Sequence, residues 1–254
     1  MTPVLTWLGQ AGFLIEAGGA RLLVDPFFSE HEGRTFPPPP IDVFGARIDR
    51  VLVTHEHLDH LDPASLRGIA ARSPGVAAIA PEPLREQIHG LPFEGVRPGD
   101  ELDLPGGLVV RVVRAVHALH PGDGYSEGGD PPRFVGYVIE ADGVAIYHAG
   151  DTIGDDRVLA GLDGVRVDVA LLPVNGRGYF RERNDLAGNL DARDAVALAA
   201  HCGARILVPT HWDLFAGNTE RAGAAADAAA EAGAPVHVLT LSRERPWAVA
   251  LPPR

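Results

Sequence analysis

The run His55-Glu56-His57-Leu58-Asp59-His60 constrains this chain more than any other stretch. It follows the apolar residues Val51-Leu52-Val53 and Thr54, so three imidazoles and a carboxylate are delivered where a short strand ends. One histidine beside a strand is usually a structural residue, and that reading does not account for this density. Alternation along an extended segment puts His55, His57 and Asp59 on one side, and a turn then carries His60 to a second position. Imidazole and carboxylate donors together suit Zn, Mn or Fe. The run predicts a metal centre with one or two divalent ions, Mn or Zn.

Ligands from one segment do not close two metal sites, so the rest must come from other strand ends. Val109 to Val116 stops at His117, Val144 to Tyr147 stops just before His148-Ala149-Gly150-Asp151, and Ile206-Leu207-Val208 stops at Pro209-Thr210-His211. His117, Asp151 and His211 are therefore the remaining candidates. His120 is the alternative to His117. It precedes Pro121 and a loop, which favours His117 as the ligand and leaves His120 as a pocket residue. Asp151 follows a glycine that lets the backbone approach closely, and its two oxygens suit a bridge between cations. His148 is the expected support for a ligand, while His31, His89, His201 and His237 read as structural or surface residues.

The same pattern describes the fold. Leu22-Leu23-Val24 before Asp25 and Val169-Ala170-Leu171-Leu172 before Pro173 are further apolar runs of strand length. Helices are expected over Pro63 to Arg72, over Pro83 to His89, from Asp191 to Gly203, and from a Thr219 cap to Gly233. Phe36 to Pro40 and Pro121 to Arg133 read as loops. There is no repeat and no strict βαβ rhythm, so the expectation is one α+β domain spanning 1–254.

Several classes are disfavoured. The formal net charge of −12 and 6% aromatic content argue against a nucleic-acid binder. No apolar run approaches the ~20 residues of a membrane span, and the N-terminus has no basic, apolar leader pattern. A cytoplasmic protein is expected, with a homo-oligomer compatible with the sequence. The single cysteine, Cys202, forms no intramolecular disulfide and reads as a small buried hydrophobe.

The full set of His55, His57, Asp59, His60, His117, Asp151 and His211 resembles the metallo-β-lactamase superfamily motif, His-x-His-x-Asp-His followed by a distant His, Asp and His. The openings Thr6-Trp7-Leu8-Gly9-Gln10-Ala11-Gly12-Phe13 and Leu23-Val24-Asp25-Pro26 are similar to that family's start. The resemblance implies a four-layer αββα sandwich with metals on the rim between two sheets. It further implies that His55, His57 and His117 hold one ion, Asp59, His60 and His211 the other, with Asp151 bridging. A narrower likeness to the L-ascorbate-6-phosphate lactonase branch lies in Asn175-Gly176-Arg177-Gly178-Tyr179-Phe180, Gly188-Asn189-Leu190-Asp191, Ala195-Val196 and the stretch from His211 to Thr219.

The expected chemistry is hydrolysis. Divalent cations supply hydroxide at neutral pH and take up developing charge on oxygen, with Asp59 as the catalytic carboxylate that orients the nucleophile. The expected substrate is a small phosphorylated lactone. Asn175 and Arg177 follow a strand end and are placed to bind it, a guanidinium being suited to phosphate. A phosphodiesterase on a nucleotide or lipid is the alternative. A diiron redox protein of the same fold is less favoured, because such relatives have Glu where this chain has His57.

Overall fold

The structure is a computed structural model that describes residues 2–39 and 47–251. Two mixed seven-stranded sheets face each other. The first contains β1 (Val4–Gly9), β2 (Gly12–Ala17), β3 (Ala20–Val24), β4 (Arg50–Leu52), β5 (Ala77–Pro81), β6 (Phe93–Val96) and β14 (Pro246–Ala248), in the order β14-β1-β2-β3-β4-β5-β6. The second contains β7 (Glu101–Leu104), β8 (Leu108–Arg114), β9 (Val135–Ala141), β10 (Val144–His148), β11 (Val169–Pro173), β12 (Ile206–Thr210) and β13 (His237–Val238), in the order β13-β12-β11-β10-β9-β8-β7. Five helices complete the layers: α1 (Pro63–Arg72), α2 (Asp156–Leu162), α3 (Tyr179–Arg183), α4 (Ala192–His201) and α5 (Ala224–Ala232). None of the described helices is long and apolar enough to cross a membrane.

Three apolar clusters define four layers. Phe13, Ile15 and Leu22 of the first sheet meet Val110, Tyr137 and Ile146 of the second in the central core. The outer face of the first sheet packs on Leu66 and Ile69 of α1. The outer face of the second packs on Val158 of α2, Val196 and Leu198 of α4, and Ala225 of α5. This is the αββα sandwich expected from the sequence.

Strand direction explains the site. In each sheet one half is antiparallel and the other parallel: β3 to β6 run together in the first, β10 to β13 in the second. Since β8 and β10 are each antiparallel to β9, they share a direction. The C-terminal ends of β3, β4, β8, β10 and β12 open on one rim, and each is followed within three residues by a histidine or an aspartate.

The helix limits differ in places. Helix α1 is capped by Asp62, whose side chain accepts from Ala64 N, and Asp191 caps α4 by accepting from Arg193 N and Asp194 N. Helix α5 starts at Ala224 after Gly223, without a side-chain cap, so Thr219 is not its cap. Thr219 instead offers its carbonyl to Arg181 Nη2 at 3.1 Å. In place of the helix expected over Pro83 to His89 there is a 3₁₀ turn, Glu82–Leu84, continued by tight turns in which Arg85 N bonds the Glu82 carbonyl and Gln87 N the Leu84 carbonyl. The Pro-rich stretch is loop through Pro39, and Pro40 lies outside the described residues. Cys202 is half-buried at the end of α4, with burial pushing its thiol up to about 11.

A buried side-chain hydrogen bond crosses between the sheets behind the site. The buried Tyr137 hydroxyl on β9 donates to the Val53 carbonyl at 2.7 Å, two residues before His55. Tyr137→Phe removes that donor and leaves the carbonyl short of a partner. The variant should lose about 1–3 kcal/mol of unfolding free energy, read from urea denaturation.

Candidate metal centre

The rim gathers all seven expected residues into two adjoining groups. His55, His57, His117 and Asp151 offer atoms within 4.8 Å of one another, and so do Asp59, His60 and His211. This is the partition implied by the resemblance, reached by a different local route. The segment does not stay extended through Asp59: His60 N and Leu61 N both donate to the His57 carbonyl, closing a turn. The turn separates Asp59 from His55 and His57 and sends it with His60 to the second group. Alternation holds for the first two histidines and fails for Asp59.

His57 and His60 are each aimed by a bond from the ring nitrogen turned away from its group. His57 Nε2 donates to the Leu119 carbonyl at 3.0 Å, which leaves Nδ1 facing His55 Nε2 at 3.0 Å and His117 Nε2 at 3.3 Å. His60 Nδ1 donates to Asp25 Oδ2 at 2.7 Å, so Nε2 points at Asp151 Oδ1, 3.4 Å away. His211 Nε2 stands 3.1 Å from Asp151 Oδ2 and 3.3 Å from Asp59 Oδ2. Asp151 thus touches both groups, with one oxygen toward His60 and the other toward His211 and His117.

Asp25 was not among the expected site residues. Fully buried at the end of β3, it accepts from Thr54 N at 2.8 Å, Thr54 Oγ1 at 2.7 Å and His60 Nδ1. Carboxylate–histidine pairs of this kind fix the tautomer of a metal-binding imidazole. The available signal was an aspartate directly after an apolar run, the same signal that marked the ligands. His148 also serves the site, but through backbone: its Nδ1 accepts from Gly150 N and its Nε2 donates to the Ala11 carbonyl. Gly150 has φ +62, and a Cβ there would come within 2.8 Å of Thr54, so only glycine seats Asp151 this way.

The electrostatics are those of a site built around positive charge. Burial disfavours ionisation of Asp59 and Asp151, yet the neighbouring histidines hold both below the usual carboxylate range. Burial likewise resists charge on His60 and His211. Asp151, Asp25 and Asp59 outweigh it at His60, raising it well above 6.5, and Asp151 with Asp59 raises His211 to about 9. On the other side burial prevails, pushing His117 down to about 3 and His55 well below its ordinary value. His60 Nε2, His117 Nδ1 and Asp151 Oδ1 are buried without hydrogen-bond partners. His60 Nε2 and Asp151 Oδ1 stand at the meeting point of the two groups, where a divalent cation would satisfy them, whereas His117 turns Nε2 rather than Nδ1 toward His57 and Asp151.

Above the groups lies a cavity of about 280 Å³. Its walls include His57, Asp59, Asp151 and His211, the apolar Leu58, Leu119, Leu186 and Phe215, and Asn218. His120 is on this wall rather than in a ligand group, and its Nδ1 lies 2.8 Å from Asp185 Oδ2. The two remaining expected residues are displaced. Asn175 is buried in a chain of amides, donating to Asn218 Oδ1 at 2.9 Å and accepting from Asn189 Nδ2 at 3.1 Å. Arg177 lies over the Tyr125 ring, 3.9 Å from its centre, and pairs with Glu182. Neither lines the cavity. Arg181, also off the lining, donates to the same Asn218 Oδ1 at 3.1 Å.

Residues 20–212 match the family described as beta-lactamase superfamily domain. The UPF0173 metal-dependent hydrolase of Methanoregula boonei is 34% identical over 212 residues, covering 83% of this chain and 82% of that protein. Its namesake in Methanoculleus marisnigri is 35% identical over 219 residues, covering 83% and 81%. Among solved structures, the metallo hydrolase Igni18 of Ignicoccus hospitalis superposes with a TM-score of 0.74 at 22% identity, over 97% of this chain and 98% of that one.

The proton distribution sets two outcomes for the metal-free protein, and the Asp25 bond sets a third. Since His211 sits at about 9 against an ordinary 6.5, the stability it contributes is full below pH 6.5 and is lost as pH rises through 9. Cation binding to neutral imidazoles must expel these protons. At pH 7.5 about two protons should leave, from His60 and His211, read by calorimetry in buffers of different ionisation heat. Asp25→Ala should weaken metal binding roughly 10–100-fold by freeing the His60 ring, read from metal titration.

Proposed function

This chain belongs to the β-lactamase superfamily, and we propose that it works there as a metal-dependent hydrolase opening a small lactone. The observation that carries the reading is the pair of buried His/Asp groups with inward-facing orphaned atoms on the floor of a cavity. A divalent cation held there supplies an activated water at neutral pH and polarises a carbonyl. His55, His57 and His117 would hold one, and Asp59, His60 and His211 the other, with Asp151 between them.

The two carboxylates have unequal access. The Asp59 side chain is 14% exposed and on the cavity wall, whereas Asp151 is 3% exposed and touched by three histidines. Asp151 is thereby a fixed structural anion. Asp59 is the group placed to orient the attacking water, take its proton and return it to the ring oxygen as the ester bond breaks. Leu58, Leu119 and Phe215 limit water around the reacting carbonyl. A cavity of this volume suits a single ring better than a polymer.

The lactonase-like stretches and the position of Arg181 support a phosphorylated lactone. Arg181 is the guanidinium bonded to Asn218 on the wall, so the charged tail is assigned to it in place of Arg177, with Asn175 bonding the same Asn218 oxygen. Asp59→Asn should cut kcat by roughly a hundredfold or more while the variant stays folded. Arg181→Ala should raise KM for a phosphorylated lactone roughly tenfold and leave its unphosphorylated analogue nearly unchanged. A panel of lactones, phosphorylated lactones and phosphodiesters, assayed with Mn and Zn, tests the class. Turnover of phosphodiesters alone would replace the lactonase reading.

A further inference from the structure

We propose that Gln10 is an additional ligand of the Asp59–His60–His211 group, binding its cation through the side-chain amide oxygen. The proposal rests on the metal-dependent reading above and adds a residue outside the histidine–aspartate set.

Gln10 lies in the turn between β1 and β2 with φ +52, a conformation seldom taken by residues with a Cβ. Three bonds hold it there. Its N–H donates to Asp213 Oδ1 at 3.1 Å, and its carbonyl accepts from the Trp7 indole at 3.0 Å and from His211 N at 3.1 Å. Asp213 is in turn fixed by Arg243 at 2.9 Å. Uncommon backbone that is held from several sides accumulates at functional sites. Its effect here is to aim a side chain that is 2% exposed into the second ligand group.

The inner atom of the amide, Nε2, is 2.7 Å from Asp59 Oδ2 and 3.0 Å from His211 Nε2. The other end, Oε1, is buried and unpartnered. The two ends of an amide exchange by a half-turn of its last torsion, and the surrounding charges decide which faces inward. Facing an aspartate and no cation, the N–H end is favoured. Facing a cation among Asp59, His60 and His211, the oxygen is favoured. An amide oxygen adds a donor without a third negative charge beside Asp59 and Asp151, and it suits the harder divalent ions.

Zinc titration by calorimetry and elemental analysis, on wild type, Gln10→Ala and Gln10→Glu, tests this without any substrate. Wild type should take up two equivalents. Gln10→Ala should bind one of them roughly tenfold or more weakly and the other unchanged. Gln10→Glu keeps an oxygen but loses the N–H, so it should retain both equivalents. With cobalt as the probe, it should shift the visible absorption of one equivalent only, a readout that stands even where Gln10→Ala fails to fold. Unchanged binding in Gln10→Ala, an unshifted cobalt spectrum in Gln10→Glu, or Gln10→Glu as weak as Gln10→Ala would overturn the proposal. The last result would assign Gln10 to holding Asp59 by its N–H. A single equivalent in wild type overturns the proposal alone, and no uptake at all overturns the metal-dependent reading with it.

Discussion

The carboxylate of Asp25 at the end of β3 is fully buried and so must be compensated by the protein. It takes the N–H and hydroxyl of Thr54, which ties the end of β3 to the segment leaving β4, and it takes Nδ1 of His60. The same three bonds therefore close a strand pair and set the angle of an imidazole. Gly150 packs directly on Thr54, so the position of Asp151 across the inter-sheet gap depends on that residue as well. A change at Asp25 or Thr54 is felt on both sides of the rim.

Around this anchor the chain collects charge that a protein interior does not ordinarily tolerate. Asp59 and Asp151 are removed from most solvent, and in the metal-free state protons on His60 and His211 balance them. A divalent cation replaces those protons with charge that is fixed in place and shared among several donors. The asymmetry between the groups has a simple origin. His60 and His211 each meet two carboxylates within 3.4 Å, Asp25 and Asp151 for the one and Asp59 and Asp151 for the other. His117 meets Asp151 alone at 3.6 Å, His55 lies against other imidazoles, and burial keeps both neutral.

The cavity is narrowed by residues far apart in sequence. Leu119 lends its carbonyl to His57 and its side chain to the wall, and Asn218 joins the wall to Asn175, Asn189 and Arg181. The chain of amides ties the stretch after β11 to the pocket wall through Asn218. That leaves Arg177 outside, where stacking on Tyr125 and pairing with Glu182 satisfy it without a ligand.

Apolar runs ending at polar residues marked β3, β4, β8, β10, β11 and β12, though not the equally central β2 and β9, because a buried strand needs continuous hydrophobic residues and its end is where polar side chains first reach the rim. The same logic marked α1 and α4, whose aspartate caps are local. Helices α2 and α3 are too short for an amphipathic period to show, and the short strands β6, β7, β13 and β14 owe their existence to pairing partners rather than to pattern. Tertiary structure alone decided the rest. The turn at His57 sent Asp59 to the second group, and a left-handed backbone aimed Gln10 at it. The fates of Asn175, Arg177 and Arg181 were likewise settled by partners dozens of residues away, or by an aromatic face across the loop. Local sequence specifies which residue types stand at a strand end; which of them share a cation, a cavity or a hydrogen bond depends on how two sheets bring distant ends together.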